Sequence, residues 1–329
     1  MTKVLINGID GRLGARVAEL LSVDASVELI GLCTSQPPAP VGRAELLQAR
    51  LNGQQLAELL RSEAVDVVIH LAFAGAEQPN VGREEAVQQN VLGSMLLLGA
   101  CASAGVQRVV VRSHTAVYGA SPLNPTFITE DRPVSLSGMR GLMRHYVEVE
   151  QFIVEFAARH PQMNIVPLRC APIIGGWSPL LDYFKEPNPR MLTGFDPCMQ
   201  LLHHEDAAIA FVLASRYAAK GPINIAADDT LCLSQAIKLA GQRPAPMLEP
   251  LINLALTLGK QDVLGAWPFD LSFMRHSFVV DTRRARRELN WAPVYGAAES
   301  LQMLRDNGQL DGDGERAEQA LRAFLERNT

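Results

Sequence analysis

Gly8, Gly11 and Gly14 stand three residues apart, directly after the apolar run 3–7 and at the opening of an amphipathic pattern. This spacing suits dinucleotide binding. The first glycine permits a tight turn, the second lets backbone approach a pyrophosphate, and the third lets a helix pack closely on its strand. The helix start, at Arg12 and Leu13, offers free N–H groups and the positive end of a dipole to phosphates. Asp10 opposes this, because a carboxylate repels phosphate unless it points to solvent. About twenty residues past the turn, an NAD-type site carries an acid for the ribose hydroxyls. Here the run 27–33 ends in Cys33-Thr34-Ser35. Thr34 and Ser35 can hydrogen-bond a 2′-phosphate and Arg12 lies in the turn, so the pattern favours NADP, with NAD as the alternative.

The elements that must hold this turn are visible as short β-branched runs alternating with helical patterns, the mark of a parallel sheet covered on both faces. Strands are predicted at 3–7, 27–33, 66–71, 107–113, 164–170 and 222–226, with a weaker one near 46–51. Helices are predicted at about 12–22, 54–62, 82–104, 138–159 and 205–219. Right-handed crossovers then place a ligand crevice beyond the carboxyl ends of the strands. The expected fold class is α/β, a doubly wound parallel sheet of Rossmann type with a smaller C-terminal substrate lobe. Residues 1–172 form the dinucleotide-binding domain, which also receives 200–240 and 277–295. Segments 173–199 and 241–276, with 296–329, form the substrate-side lobe and C-terminal helices. Glycine and proline cluster in 172–197, which reads as loops over the sheet edge, and 243–280 is similarly irregular.

At 329 residues, 48% apolar and 20% charged, the chain has the composition of a globular protein. A net charge of −5 gives no basic footprint, so nucleic acid is not an expected partner. The most apolar stretch, 91–104, is broken by Gly93, Ser94 and Gly99 and is too short to span a bilayer. No signal peptide is read at the N-terminus. The five cysteines, 33, 101, 170, 198 and 232, lack CxxC spacing and are odd in number. They read as reduced thiols of a cytoplasmic protein. His203-His204 suggests no metal, since adjacent residues on a strand point apart and no third ligand stands at useful spacing. Glu205 and Asp206 are expected to cap the helix that follows them.

The glycine turn, Asp66-Val67-Val68-Ile69-His70-Leu71-Ala72, and Val117-Tyr118-Gly119 after a strand ending in Ser113 together resemble the extended short-chain dehydrogenase/reductase family. That family includes nucleotide-sugar epimerases and dehydratases. The resemblance continues through Pro222-Ile223-Asn224-Ile225 and Leu289-Asn290-Trp291 to about residue 306. It implies that Leu71, Ala72 and Phe73 line the cofactor site, and that Arg50-Leu51 stands where the family's Asp-Leu pair contacts adenine. Arg50 cannot accept a hydrogen bond from the adenine amino group; it can stack on the ring, pair with phosphate, or simply face solvent. The resemblance also implies a homodimer through the helices 82–104 and 138–159.

The family's chemistry rests on a tyrosine with a lysine four residues later. Here Tyr118, Tyr146, Tyr183, Tyr217 and Tyr295 are followed at that spacing by Pro122, Glu150, Pro187, Gly221 and Glu299, and no lysine lies between Lys3 and Lys185. Matched on Arg144, His145 and Glu150, the family's tyrosine position holds Leu142 and its lysine position holds Tyr146. A phenol titrates near pH 10 and becomes a base only with a cation beside it; leucine can do none of this. His114 stands at the family's Ser/Thr position. It is the candidate acid or base, as a group titrating near neutrality, and Tyr146 is the candidate hydrogen-bond donor. Tyr118 reads as a packing residue, His145 as surface or interface, and Arg190 and Arg275 as candidates for an anionic substrate group. The expected function is an atypical NAD(P)-binding enzyme acting on a small or nucleotide-linked substrate. The alternatives are a silent dinucleotide- or metabolite-binding protein and a non-redox lyase, isomerase or cyclase.

Overall fold

Seven strands lie parallel in one sheet. They are β1 (Thr2–Asn7), β2 (Val27–Cys33), β3 (Glu45–Gln48), β4 (Val67–His70), β5 (Arg108–His114), β6 (Asn164–Cys170) and the strand Ile223–Ile225. Their order is Ile223–Ile225, β6, β5, β4, β1, β2, β3. The structure is a computed structural model and describes residues 1–34, 40–77, 81–175, 178–259, 261–307 and 314–326. Strand order reverses between β1 and β4, so a crevice opens beyond their carboxyl ends, at Asn7 and His70, which are in register. The doubly wound Rossmann-type sheet expected from the sequence is the fold observed.

Alternation along the strands divides the core into two layers. Leu5, Val68, Val109, Val111 and Ile165 join one cluster with helices α2 (Gly53–Ser62), α4 (Gly93–Ala104) and α5 (Gly141–Arg159). Val4, Ile6, Ile69, Val110 and Val166 face the other way, against α1 (Arg12–Ser22) and α7 (His204–Arg216). Period-two side-chain direction in buried strands requires this. Among the described residues no helix is long and apolar enough to cross a membrane.

Four departures from the sequence reading bear on the site. The helix expected over 82–104 is divided into α3 (Arg83–Val87), a π-helical turn Gln88–Leu92, and α4. The widened turn aims buried Asn90 at the loop after β4: its Oδ1 accepts from Ala74 N at 2.7 Å, and its Nδ2 donates to Ala74 O at 3.0 Å. His145 is buried rather than at the surface, and its Nδ1 accepts from Asn90 Nδ2 at 3.1 Å. The stretch 172–197 contains α6 (Pro179–Lys185) and the strand Arg190–Leu192, which pairs with Ala245–Met247. Finally, α7 is capped by His203, whose Nδ1 accepts from Glu205 N at 3.2 Å. Glu205 pairs instead with Arg16, and Asp206 caps the backbone at Val294 and Tyr295.

Candidate functional site

Beyond the carboxyl ends of β1, β2 and β4 lies a cleft of about 540 Å³. Gly8 and Gly11 form part of its floor, Thr34, Arg50 and Leu51 line one end, and Leu71, Ala72 and Phe73 form a wall. Arg12 and Leu13 open onto an adjoining cavity of about 140 Å³ that shares Gly11. Ser35 lies outside the described residues. The three glycines have different reasons. Gly8 has φ +90°, and a Cβ there would stand 2.7 Å from Ala72 N. A Cβ on Gly14 would stand 2.1 Å from Gly8 O, so the fold itself demands both glycines. Gly11 has an ordinary φ of −78°, and a Cβ there would meet the Glu77 carboxylate at 3.0 Å and Gly8 O at 3.4 Å, an ordinary contact. Its bareness therefore serves whatever approaches the start of α1. Accordingly Gly11→Val is expected to fold but to melt below the parent, because the added bulk displaces Glu77 from Arg112, and to lose dinucleotide binding, measured by thermal melting and calorimetric titration. Gly14→Val is expected not to fold, because backbone cannot move aside as a flexible carboxylate can.

Two groups that the sequence reading missed stand at the centre of this region. Glu77 Oε2 accepts from Leu13 N at 3.2 Å, at the N-terminus of α1, and its Oε1 accepts from Arg112 Nη1 at 2.5 Å. Arg112, on β5, is buried and lines the cleft, the adjoining cavity and a third, smaller pocket. Asp10 also lines the cleft, near enough to Cys33 to add to the burial that raises its thiol.

The third pocket, about 50 Å³, is bounded by Arg112, His114, Leu142, Tyr146 and Phe269. The His114 ring lies 6.3 Å from that of Tyr146 and 5.7 Å from that of Phe269. His114 Nδ1 accepts the Ala116 N–H at 2.9 Å, which leaves the proton of the neutral ring on Nε2. Burial, and then the charge of Arg112, lower its pKa to about 3. The sequence reading treated His114 as a group titrating near neutrality; in this environment it is a neutral donor. Burial likewise pushes the Tyr146 phenol up to about 12, with Arg112 pulling the other way. The pocket thus presents two uncharged O–H and N–H donors beside a guanidinium.

Beneath it lies a buried polar platform. Arg169 Nε donates to both oxygens of Glu150 at 3.0 and 2.9 Å, and its Nη1 donates to Tyr118 Oη at 2.7 Å. Tyr118 in turn donates to Asn224 Oδ1 at 2.7 Å, and Ser113 Oγ donates to Glu150 Oε1. Tyr118 is therefore a buried hydrogen-bonding residue as well as a packing one. Arg275 is committed to Glu249, with Nε on Oε2 at 3.1 Å, which removes it as a ready anion ligand. No cluster of metal-binding side chains occurs among the described residues.

Buried neutral histidines also set a pH dependence of stability. Burial lowers His70 to about 4, and His114 and His203 to about 3. Unfolded, each takes a proton near pH 6.5, so between roughly pH 6.5 and 3 the unfolded state binds more protons and stability falls with acid. Asp206, pushed up to about 7 by burial, acts oppositely over pH 7 to 4. Three groups outweigh one. Chemical denaturation at pH 5 is expected to show about 3 kcal/mol less stability than at pH 7, at about 1.4 kcal/mol per unit; equal stability at both would contradict it.

The NAD dependent epimerase/dehydratase family model matches residues 4–226. The chain belongs to this family. An uncharacterised protein of Mycobacterium tuberculosis (strain ATCC 25618 / H37Rv) is 30% identical over 324 residues, covering 91% of this chain and 82% of that protein. A UDP-glucose 4-epimerase of Azospirillum brasilense is 28% identical over 169 residues, covering 50% of this chain and 47% of its own. Among solved structures, the UDP-glucose 4-epimerase of Thermotoga maritima with UDP-glucose superposes with a TM-score of 0.69 at 16% identity. It covers 98% of this chain and all of that one. The UDP-glucuronic acid 4-epimerase of Bacillus cereus, in complex with UDP-glucuronic acid and NAD, gives 0.69 at 16% identity over the same shares of the two chains. At such identities the superpositions establish the epimerase fold.

Proposed function

We propose that the protein is an NAD(P)-binding enzyme of this family that acts on a small or nucleotide-linked substrate through a pocket rebuilt around His114, Tyr146 and Arg112. The observation that carries this reading is that the two spaces share a lining residue, Arg112. Arg112 lines both the cleft behind the glycine turn and the pocket that His114 and Tyr146 share. The cleft suits a dinucleotide. Gly11 leaves room at the start of α1, and α1 has no side-chain cap and no acid of its own in its first turn. Gly8, Gly11, Arg12, Leu13 and Gly14 would hold the pyrophosphate end, Leu71, Ala72 and Phe73 the middle, and Thr34, Ser35, Arg50 and Leu51 the adenosine end. Neighbours of the same fold bind NAD with UDP-sugars, which supports this placement.

When bound, the dinucleotide supplies or accepts a hydride. The chain's own part is to hold and polarise a substrate oxygen. His114 Nε2–H and the Tyr146 hydroxyl are both donors, and neither is a base near neutrality. Such a pair stabilises negative charge developing on a carbonyl oxygen, and the Tyr146 hydroxyl is the member that can give it a proton. The resting pocket is therefore protonated for carbonyl reduction, while the reverse oxidation runs through the Tyr146 phenolate, which the raised pKa keeps scarce near neutrality. A homodimer through α4 and α5 is part of the proposal. Their outer faces expose Leu96 and Val154, with Leu92 on the π-helical turn before α4, while Leu97, Leu98, Ile153 and Phe156 are spent on the protein's own core.

Calorimetric titration with NADPH and NADH tests the cofactor. Thr34 and Arg50, with no acid at the end of β2, favour NADPH; Asp10 at the cleft, beside Cys33, favours NADH. We expect NADPH to bind more tightly. Tighter NADH binding reverses the preference, and no binding of either moves the protein to non-redox chemistry or silent metabolite binding.

A further inference from the structure

We infer that Glu77 is a built-in competitor for the dinucleotide pyrophosphate, and that Arg112 exchanges the Glu77 carboxylate for a phosphate when the dinucleotide enters. This rests on the dinucleotide reading of the cleft and goes beyond it by assigning two residues the control of entry. Glu77 comes from the loop after β4, yet its carboxylate sits at the start of α1, 64 residues away in sequence, accepting the Leu13 N–H. It fills the space that Gly11 leaves bare. A helix N-terminus stabilises either kind of anion there. It cannot hold both, since two anions about 3 Å apart repel strongly in a partly buried site.

The two partners differ in freedom. The Glu77 side chain is 20% exposed and Arg112 only 8%. Glu77 can swing into the open cleft, whereas Arg112 is fixed by the strand and the walls around it. Departure of Glu77 alone would leave a buried guanidinium unpaired, which is strongly unfavourable. Arrival of a phosphate restores an anion that the planar guanidinium can hold through two parallel N–H donors. The exchange is therefore coupled: the carboxylate leaves readily only when another anion replaces it. The gate operates by charge rather than bulk, and it discriminates for ligands that carry phosphates at this point. Arg112 also borders the pocket of His114 and Tyr146. Its change of partner would be felt by Tyr146, whose phenol it already influences.

Glu77→Gln tests this, because it keeps size and an acceptor oxygen while removing the charge. Titration is carried out with NADPH, with ADP and with adenosine, on the parent and the variant. The expected result is about tenfold tighter binding of NADPH and ADP by the variant, with adenosine unchanged, since adenosine lacks the phosphates that compete. Thermal melting gives a second readout. Without ligand the variant should melt below the parent, because Arg112 loses its carboxylate, and saturating NADPH should raise its melting temperature by more than it raises the parent's. Parent and variant binding NADPH equally, or the variant binding more weakly, overturns the inference and leaves the dinucleotide reading standing. Equal tightening for adenosine also overturns it, by showing that the effect is not at the phosphates. If neither protein binds NADPH or ADP at millimolar concentration, the inference and the dinucleotide reading fail together.

Discussion

Glu150→Ala is expected to destabilise the protein by about 3–5 kcal/mol, the usual cost of removing one partner of a buried ion pair. Arg169 is 4% exposed and spends three N–H groups on the Glu150 carboxylate and the Tyr118 hydroxyl. Truncation at 150 leaves that guanidinium without its counter-charge and also orphans Ser113 Oγ. Water cannot replace the lost oxygens, because β5, β6 and α5 close over them. The double variant Glu150→Met with Arg169→Met should recover much of the loss, since it removes both charges together and fills the space with apolar atoms. Urea unfolding of the two variants decides the matter. If Glu150→Ala costs under about 1 kcal/mol, the value of an exposed pair, the platform is wetter than its geometry indicates. The network matters beyond stability: Ser113 immediately precedes His114, and Arg169 immediately precedes Cys170, which is in register with His114. The platform therefore fixes the strand ends from which the pocket is built.

What the sequence revealed and what it hid divide along a physical line. The sheet was legible because β-branched runs such as 107–113 and 164–170 carry their own pattern, and β5 and β6 fall within a residue of those limits. The glycine turn was legible because three special residues act within seven positions. The division of the 82–104 helix was not, because its cause is remote: Asn90 is drawn to Ala74, and Ser94 Oγ lies 2.8 Å from His70 Nε2. His145 was misread for a similar reason. Flanked by charged Arg144, it looks exposed in sequence, while its partner Asn90 is 55 residues away. Arg112 and Glu77 were missed because neither means anything alone. An arginine in a strand and a glutamate in a loop become a feature only when folding brings them together across 35 residues. Register against Val117-Tyr118-Gly119 singled out His114, but its protonation depends on depth and on Arg112, which only the fold supplies.

That protonation state shapes the last expected result. On the proposed function, His114→Ala should lower turnover of the small or nucleotide-linked substrate by roughly 10²–10³-fold, the loss that follows removal of one oriented donor to a developing oxyanion. With Nδ1 accepting the Ala116 N–H at 2.9 Å, only Nε2–H remains to face a ligand. With the pKa lowered to about 3 by burial and Arg112, the ring takes up no second proton at neutral pH and stays a neutral Nε2–H donor. In the proposed site the ring would hold a substrate oxygen without exchanging a proton in the neutral range. Two consequences separate this from general acid–base catalysis. First, the pH–rate profile should show no inflection near 6.5 that His114→Gln abolishes. Second, His114→Ser, which restores a hydroxyl donor, should recover activity over His114→Ala, and His114→Gln should recover some as well. A proton exchanger would instead lose as much in Gln as in Ala, because an amide cannot titrate near neutrality. An inflection near 6.5 present in the parent and absent in His114→Gln would show that the ring charges during turnover, and that the guanidinium of Arg112 moves away from it when substrate binds.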